Sequence, residues 1–114
     1  MAGRLAGMPV LLLTTRGRTT GRPRTVPLTY FVEGDGIVLV ASYGGDDRHP
    51  GWYRNLCADP RVEVVQGRSR RALTARTATP EERARLWPTI VATYPGYARY
   101  QARTARPIPL VVLE

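Results

Sequence analysis

Three features of the sequence predict an α+β fold. Six short apolar segments with strand-like patterning run along the chain, and helical segments interrupt them twice, between the third and fourth and between the fifth and last. Glycine-centred turns join several neighbours, which favours hairpins over crossovers. A mostly antiparallel sheet curled into a small barrel, with two or three short helices, fits better than a parallel βαβ array.

Each element has its own signal. Pro9 to Thr15 is a first strand and Thr25 to Glu33 a second, with Val26, Leu28, Tyr30 and Val32 alternating along it. Gly34-Asp35-Gly36 reads as a hairpin turn in which both glycines take positive φ. Ile37 to Ser42 is apolar on both faces, a third strand buried on two sides. Tyr43 to His49 is a flexible polar loop, and Pro50 opens a helix grouping Trp52, Tyr53, Leu56 and Cys57 on one face. Asp59-Pro60 stops that helix, because a residue before proline avoids the α region. Arg61 to Gln66 points Val62 and Val64 inward, Gly67-Arg68 turns the chain, and Ser69 to Ala78 returns as a fifth strand. Thr79-Pro80-Glu81-Glu82 combines a cap, a first-turn proline and an acid at the third position. The helix it opens carries Ala84, Trp87, Val91 and Tyr94 at helical spacing, with Pro88 expected to kink it or remove a bond. Pro107 to Leu113 is the last strand. Met1 to Met8, read equally as a helix end or a loose segment, is a lead-in to one domain over residues 9–114.

The 114 residues suffice for one core, and a composition of 43% hydrophobic and 23% charged residues is that of a folded protein. The net charge of +8 is carried entirely by arginine, since lysine is absent. Every cation is therefore a planar, bidentate-capable group. Four of them, Arg16, Arg18, Arg22 and Arg24, crowd the glycine-punctuated connection after the first strand, with no acid beside them in sequence. Guanidinium forks and exposed backbone N–H groups suit an incoming phosphate or carboxylate. No apolar run approaches the ~18 residues of a membrane span, and no signal-peptide pattern is present. A cytoplasmic protein is expected, its charge allowing loose contact with an anionic membrane face.

Self-sufficient catalysis finds little support. His49 is the single histidine and reads as a helix-entry residue; Cys57, the single cysteine, reads as buried and inert. Metal spacings and a nucleophile elbow are missing from the sequence. An enzyme of this kind needs a cofactor to carry its reaction. Gly44-Gly45 offers backbone donors, and Tyr94, Tyr97 and Tyr100, spaced by three, put their rings on one side if helical. No helix-turn-helix, zinc finger or aromatic RNA-binding signature accompanies the charge, so nucleic acid is not expected as a partner.

Five ordered segments carry a resemblance: Leu11 to Thr15 with Gly17-Arg18, Gly21 and Pro23-Arg24; Val40-Ala41-Ser42 with Gly44-Gly45; Pro50, Trp52-Tyr53, Asn55-Leu56 and Asp59-Pro60; Tyr94 to Tyr97 with Tyr100-Gln101; and Arg106 to Pro109. Together they resemble the deazaflavin-dependent nitroreductase family of actinobacteria. The resemblance implies a split β-barrel and coenzyme F420, an 8-hydroxy-5-deazaflavin with a phospholactyl-glutamate tail, in place of FMN. It implies tail binding by Arg18 and Arg24. Ser42, Gly44 and Gly45 would edge the phosphate and ring, and Trp52 and Asn55 would support the cofactor. Tyr43 stands beside the phosphate where some relatives carry lysine. Tyr94, Tyr97 and Tyr100 would line the substrate pocket, with Ser42, Tyr97 or Tyr100 bonding the acceptor's oxygen. The implied activity is hydride transfer to a small-molecule quinone, enone or nitroaromatic. A non-catalytic deazaflavin carrier and a basic nucleic-acid module are the alternatives, and monomer and homodimer both stay open.

Overall fold

The computed structural model describes residues 4, 5 and 8–114. Its strands are β1 (Arg4–Leu5), β2 (Met8–Arg16), β3 (Pro23–Thr29), β4 (Phe31–Glu33), β5 (Gly36–Val40), β6 (Arg61–Gln66), β7 (Ser69–Thr77) and β8 (Leu110–Leu113); its helices are α1 (Gly51–Ala58), α2 (Pro80–Thr93) and α3 (Gly96–Ala102). Every strand pairing is antiparallel, in the order β1-β2-β6-β7-β8-β5-β4, with β3 on β2. The α+β barrel is as expected, with eight strands among the described residues where about six were predicted. The lead-in falls largely outside the described residues, but Arg4–Leu5 is a strand against Met8 and Pro9, neither helix end nor loose segment.

The main departure explains the architecture. The single strand expected over Thr25 to Glu33 breaks at Tyr30, so its first part pairs with β2 and its second with β5. One segment thus serves both ends of the sheet, which diverge around it. The alternation of Val26, Leu28 and Tyr30 holds up to the break, all three packing against the same core, but past it Val32 is exposed and Phe31 packs instead, against the second core. Gly34 takes φ 59°, but Gly36 is an ordinary strand residue, so the hairpin needs one left-handed glycine and not two.

Strand periodicity sends side chains to two cores. Ile37 and Leu39 of β5 face the barrel interior with Leu11, Leu13, Val62, Val64, Val111 and Leu113. Val38 and Leu110 face the other way, under Leu86 and Ile90 of α2 and Tyr97 of α3. β5 is therefore buried on both faces, as its unbroken apolar run predicts. The capping box forms: Thr79 Oγ1 accepts from the Glu82 N–H at 3.2 Å, while the Glu82 carboxylate accepts from the Thr79 N–H at 2.8 Å. The buried stripe of α2 is Leu86 and Ile90, flanked by Trp87 and Tyr94, while Ala84 is exposed. Pro88 lies on the solvent side and the helix continues past it. In α1, Leu56 and Asn55 are buried and Cys57 is exposed, so the buried, inert cysteine is not found. Asn55 takes the inward position because Thr15 and Arg18 await it there with three hydrogen bonds. Among the described residues no helix is long and apolar enough to cross a membrane.

Candidate functional site

Where β3 and β5 diverge, the barrel opens into a cavity of about 750 Å³. Val26, Leu28, Leu39 and Val40 give it apolar walls, Pro50, Gly51, Trp52 and Asn55 of the α1 entry close one side, and Ser42, Tyr43 and Gly44 close another. Arg24 sits on its lining. A second cavity of about 220 Å³, lined by Met8, Thr29, Ser42, Gly44, Tyr94, Tyr97 and Tyr100, adjoins it. The two cavities share Thr29, Ser42, Gly44 and Tyr97. One is an apolar slot with a basic edge; the other is a small chamber of hydroxyl groups.

The arginine-rich connection between β2 and β3 is built by hydrogen bonds to its own backbone and to α1. The Gly17 N–H donates to the Arg22 carbonyl at 2.8 Å and the Gly21 N–H to the Gly17 carbonyl at 2.8 Å, with Gly21 at φ 72°. Asn55 Oδ1 accepts from the Arg18 N–H at 3.2 Å and from Arg18 Nη1 at 2.7 Å, while Asn55 Nδ2 donates to the buried Thr15 Oγ1 at 3.1 Å. Arg18 Nη1 also reaches the Gly51 carbonyl at 3.4 Å. Arg18 thus stands against the cavity wall instead of lining it. A carboxylate distant in sequence does approach this loop: Asp59 lies 3.3 Å from Arg16 Nε, correcting the expectation of a loop without one. Arg61, with help from Arg16, holds Asp59 down to about 2. Arg16 therefore turns away from the cavity.

The glycine pair divides its work. Gly44 lines both cavities. Gly45 is buried behind them, its N–H donating to the Ser42 carbonyl at 2.9 Å. A Cβ there would come within 2.6 Å of the Tyr100 carbonyl oxygen, so this glycine permits close packing on α3 and offers the cavity no donor. Within the Tyr43–His49 loop, Tyr43–Gly45 forms a 3-10 turn, with Tyr43 itself at φ 47°.

The three tyrosines converge, Tyr94 at the end of α2 and the other two on α3. Ring centroids are 4.9 Å apart for Tyr94 and Tyr97 and 6.0 Å for Tyr97 and Tyr100, both edge-on. Tyr97 is buried, and its hydroxyl bonds Thr29 Oγ1 at 2.8 Å. Burial raises its pKa above the ordinary phenol value, more than the Thr29 bond lowers it. The neighbouring Tyr100 phenol raises that of Tyr94. Both stay protonated donors through the neutral range. Thr29, which no motif singles out, belongs to the site because it alone fixes the Tyr97 hydroxyl among the described residues. His49 does precede the helix as expected, but its ring meets Arg106, not an α1 N–H.

A family model described as "F420H(2)-dependent quinone reductase" matches residues 1–114. The chain belongs to that family. An F420H(2)-dependent quinone reductase of Mycobacterium tuberculosis is 49% identical over 108 residues, covering 92% of this chain and 72% of the relative. The solved structure of an F420-H2 dependent reductase, FDR-A, superposes with a TM-score of 0.83 at 42% identity, covering 92% of this chain and 93% of that one. A second structure, described as a domain-swapped dimer, gives the same score and identity and covers 79% of its own chain. The split β-barrel and its F420-dependent oxidoreductase activity are thus shared with the family, and the expected cofactor is coenzyme F420. The cavity suits that cofactor: an apolar slot for a planar ring system opens toward a glycine-bearing turn and the Arg24 guanidinium, which has no carboxylate partner among the described residues, the chemistry a phosphate and carboxylate tail requires.

Proposed function

We propose that the large cavity seats the deazaflavin and the tyrosine chamber seats the acceptor, face to face across Ser42, Gly44, Thr29 and Tyr97. The observation carrying this reading is the shared border of the two cavities, which brings two reactants together without a third element between them. When bound, reduced deazaflavin supplies a hydride from C5. Arg24 and Arg18 attract the anionic tail, with Tyr43 at the rim in a position without added charge. Ser42, Gly44 and Gly45 form the turn at the phosphate and ring edge, of which Gly45 acts by packing. Trp52 and Asn55 support the ring side. Tyr94, Tyr97 and Tyr100 wall the acceptor.

The acceptor's oxygen gains negative charge as hydride adds to the ring carbon, and hydroxyl donors of Ser42, Tyr97 or Tyr100 stabilise that charge. For a quinone, one proton from a tyrosine or solvent neutralises that oxygen, and a shift of the carbon-bound hydrogen, lost as a proton while the second oxygen gains one, gives the hydroquinone. The same donors suit the carbonyl of an enone or a nitro group, which extends the acceptor class beyond quinones. Exposed Tyr43 and Arg24 on one rim support peripheral contact with an anionic membrane surface, and the domain-swapped relative supports a homodimer. The test is anaerobic oxidation of reduced coenzyme F420 by a soluble quinone, followed by deazaflavin absorbance. Turnover lowered roughly tenfold or more by Ser42→Ala or Tyr97→Phe is expected. Cofactor binding without turnover of any quinone, enone or nitroaromatic would favour the carrier instead.

A further inference from the structure

The polar wall of the large cavity is held from behind by a residue outside both cavities. Arg106 Nε donates to the Asp46 carbonyl at 2.8 Å, Nη2 to the Ser42 carbonyl at 2.9 Å and Nη1 to the Ala41 carbonyl at 3.3 Å. A planar fork with fixed donor directions can hold three carbonyls of one loop at once; an ammonium cannot reproduce that geometry. Arg106 is itself anchored, its N–H donating to Thr104 Oγ1 at 3.3 Å and its carbonyl accepting from Gln101 Nε2 at 2.8 Å. The loop it holds carries Ser42 and Gly44, two of the four residues common to both cavities.

The remaining partner of Arg106 is titratable. His49 Nδ1 lies 3.2 Å from Arg106 Nη1, so a neutral imidazole accepts a hydrogen bond there. A protonated ring instead directs an N–H at the guanidinium and adds a second cation. From α1, Arg54 adds repulsion and the Tyr53 ring packs 4.9 Å from the imidazole. Of the loop's own acids, Asp46 pairs with Arg48 and also attracts Arg106, and Asp47 accepts from Thr104. Burial first, then Arg106 and Arg54, push His49 below its ordinary pKa.

We propose that Arg106 is a positioning residue for the cofactor wall and that His49 makes this wall acid-sensitive, protonation of the imidazole releasing the fork and loosening the Ala41–Asp46 loop. The affinity part of the inference rests on the cofactor assignment above; the loop part does not. In the ligand-free protein, amide resonances of Gly44 and Gly45 should therefore shift with the His49 ring between pH 8 and 5, sharing its midpoint. In His49→Asn, whose Oδ1 accepts the Arg106 proton but gains none, they should not. Resonances that ignore the His49 titration overturn the proposal. Titrations with coenzyme F420 at pH 7.5 and 5.5 then read affinity. Wild type should weaken at pH 5.5 more than His49→Asn does, a difference that cancels any titration of the cofactor itself. Arg106→Gln should lose roughly tenfold or more at pH 7.5, and Arg106→Lys should recover only part. Wild-type affinity in a folded Arg106→Lys, or an equal acid loss in His49→Asn, overturns the proposal. Should wild type fail to bind the cofactor at any pH, the cofactor assignment fails, and the resonance titration alone decides the loop.

Discussion

Arginine does two different jobs on two sides of this molecule. Away from the cavity, Arg70 meets Glu63, Arg76 meets both Glu82 and Glu114, and Arg85 meets Glu33. Each of those cations is neutralised by a carboxylate. Around the cavity, Arg18 is held by an amide oxygen and a backbone carbonyl, and Arg106 by three carbonyls and an imidazole nitrogen. Among the described residues Arg24 has no carboxylate partner. Neutral acceptors fix a guanidinium in place without cancelling its field. Arg18, Arg24 and Arg106 therefore keep their field beside the cavity, while Arg16 and Arg48 on the flanking loops are paired with Asp59 and Asp46.

Asn55→Leu attacks the neutral anchoring directly and should have the largest effect. It strips Arg18 of its main acceptor and leaves the buried Thr15 hydroxyl without its donor, so thermal unfolding should register a loss of about 1–3 kcal/mol. Cofactor affinity, read by fluorescence titration, should fall in the same variant. On the paired side, Arg76→Ala should lower Tm slightly and leave cofactor affinity unchanged, because exposed ion pairs contribute little. A large affinity loss there would erase the contrast between the two sides. The smallest effect concerns Glu82, whose carboxyl Arg76 and the Thr79 N–H hold down to about 2. Since the folded-state value lies below the unfolded one, its contribution is complete above about 4.5 and is lost as pH falls toward 2. Glu82→Gln should flatten that part of the acid-unfolding profile measured by circular dichroism.

Local chemistry was legible in the sequence; the meeting of distant segments was not. The capping box at Thr79, the Gly34 turn and the two-sided burial of β5 each depend on residues within a few positions of one another. The arginine-rich connection and the tyrosine spacing were readable for the same reason. The break at Tyr30 depends instead on two partners, β2 and β5, that lie on opposite sides of it in the chain. Asn55 displaced Cys57 from the buried face of α1 because Thr15 and Arg18, forty and thirty-seven positions away, supply its bonds. Gly45 looked like a phosphate donor until α3 was brought against it. Arg106 was visible only within a proline-flanked motif, whose carbonyl targets lie some sixty residues earlier.

The most direct test of the account is a titration of coenzyme F420 into wild type and Arg24→Ala, following intrinsic fluorescence with Trp52 in the cavity wall and FMN as the control. The account predicts binding in the micromolar range or tighter. It also predicts weaker binding at higher salt and a loss of roughly tenfold in Arg24→Ala without a change in Tm. Equal affinity for FMN, or an Arg24→Ala variant that binds as wild type does, would contradict the assignment of the Arg24 guanidinium to the cofactor's anionic tail.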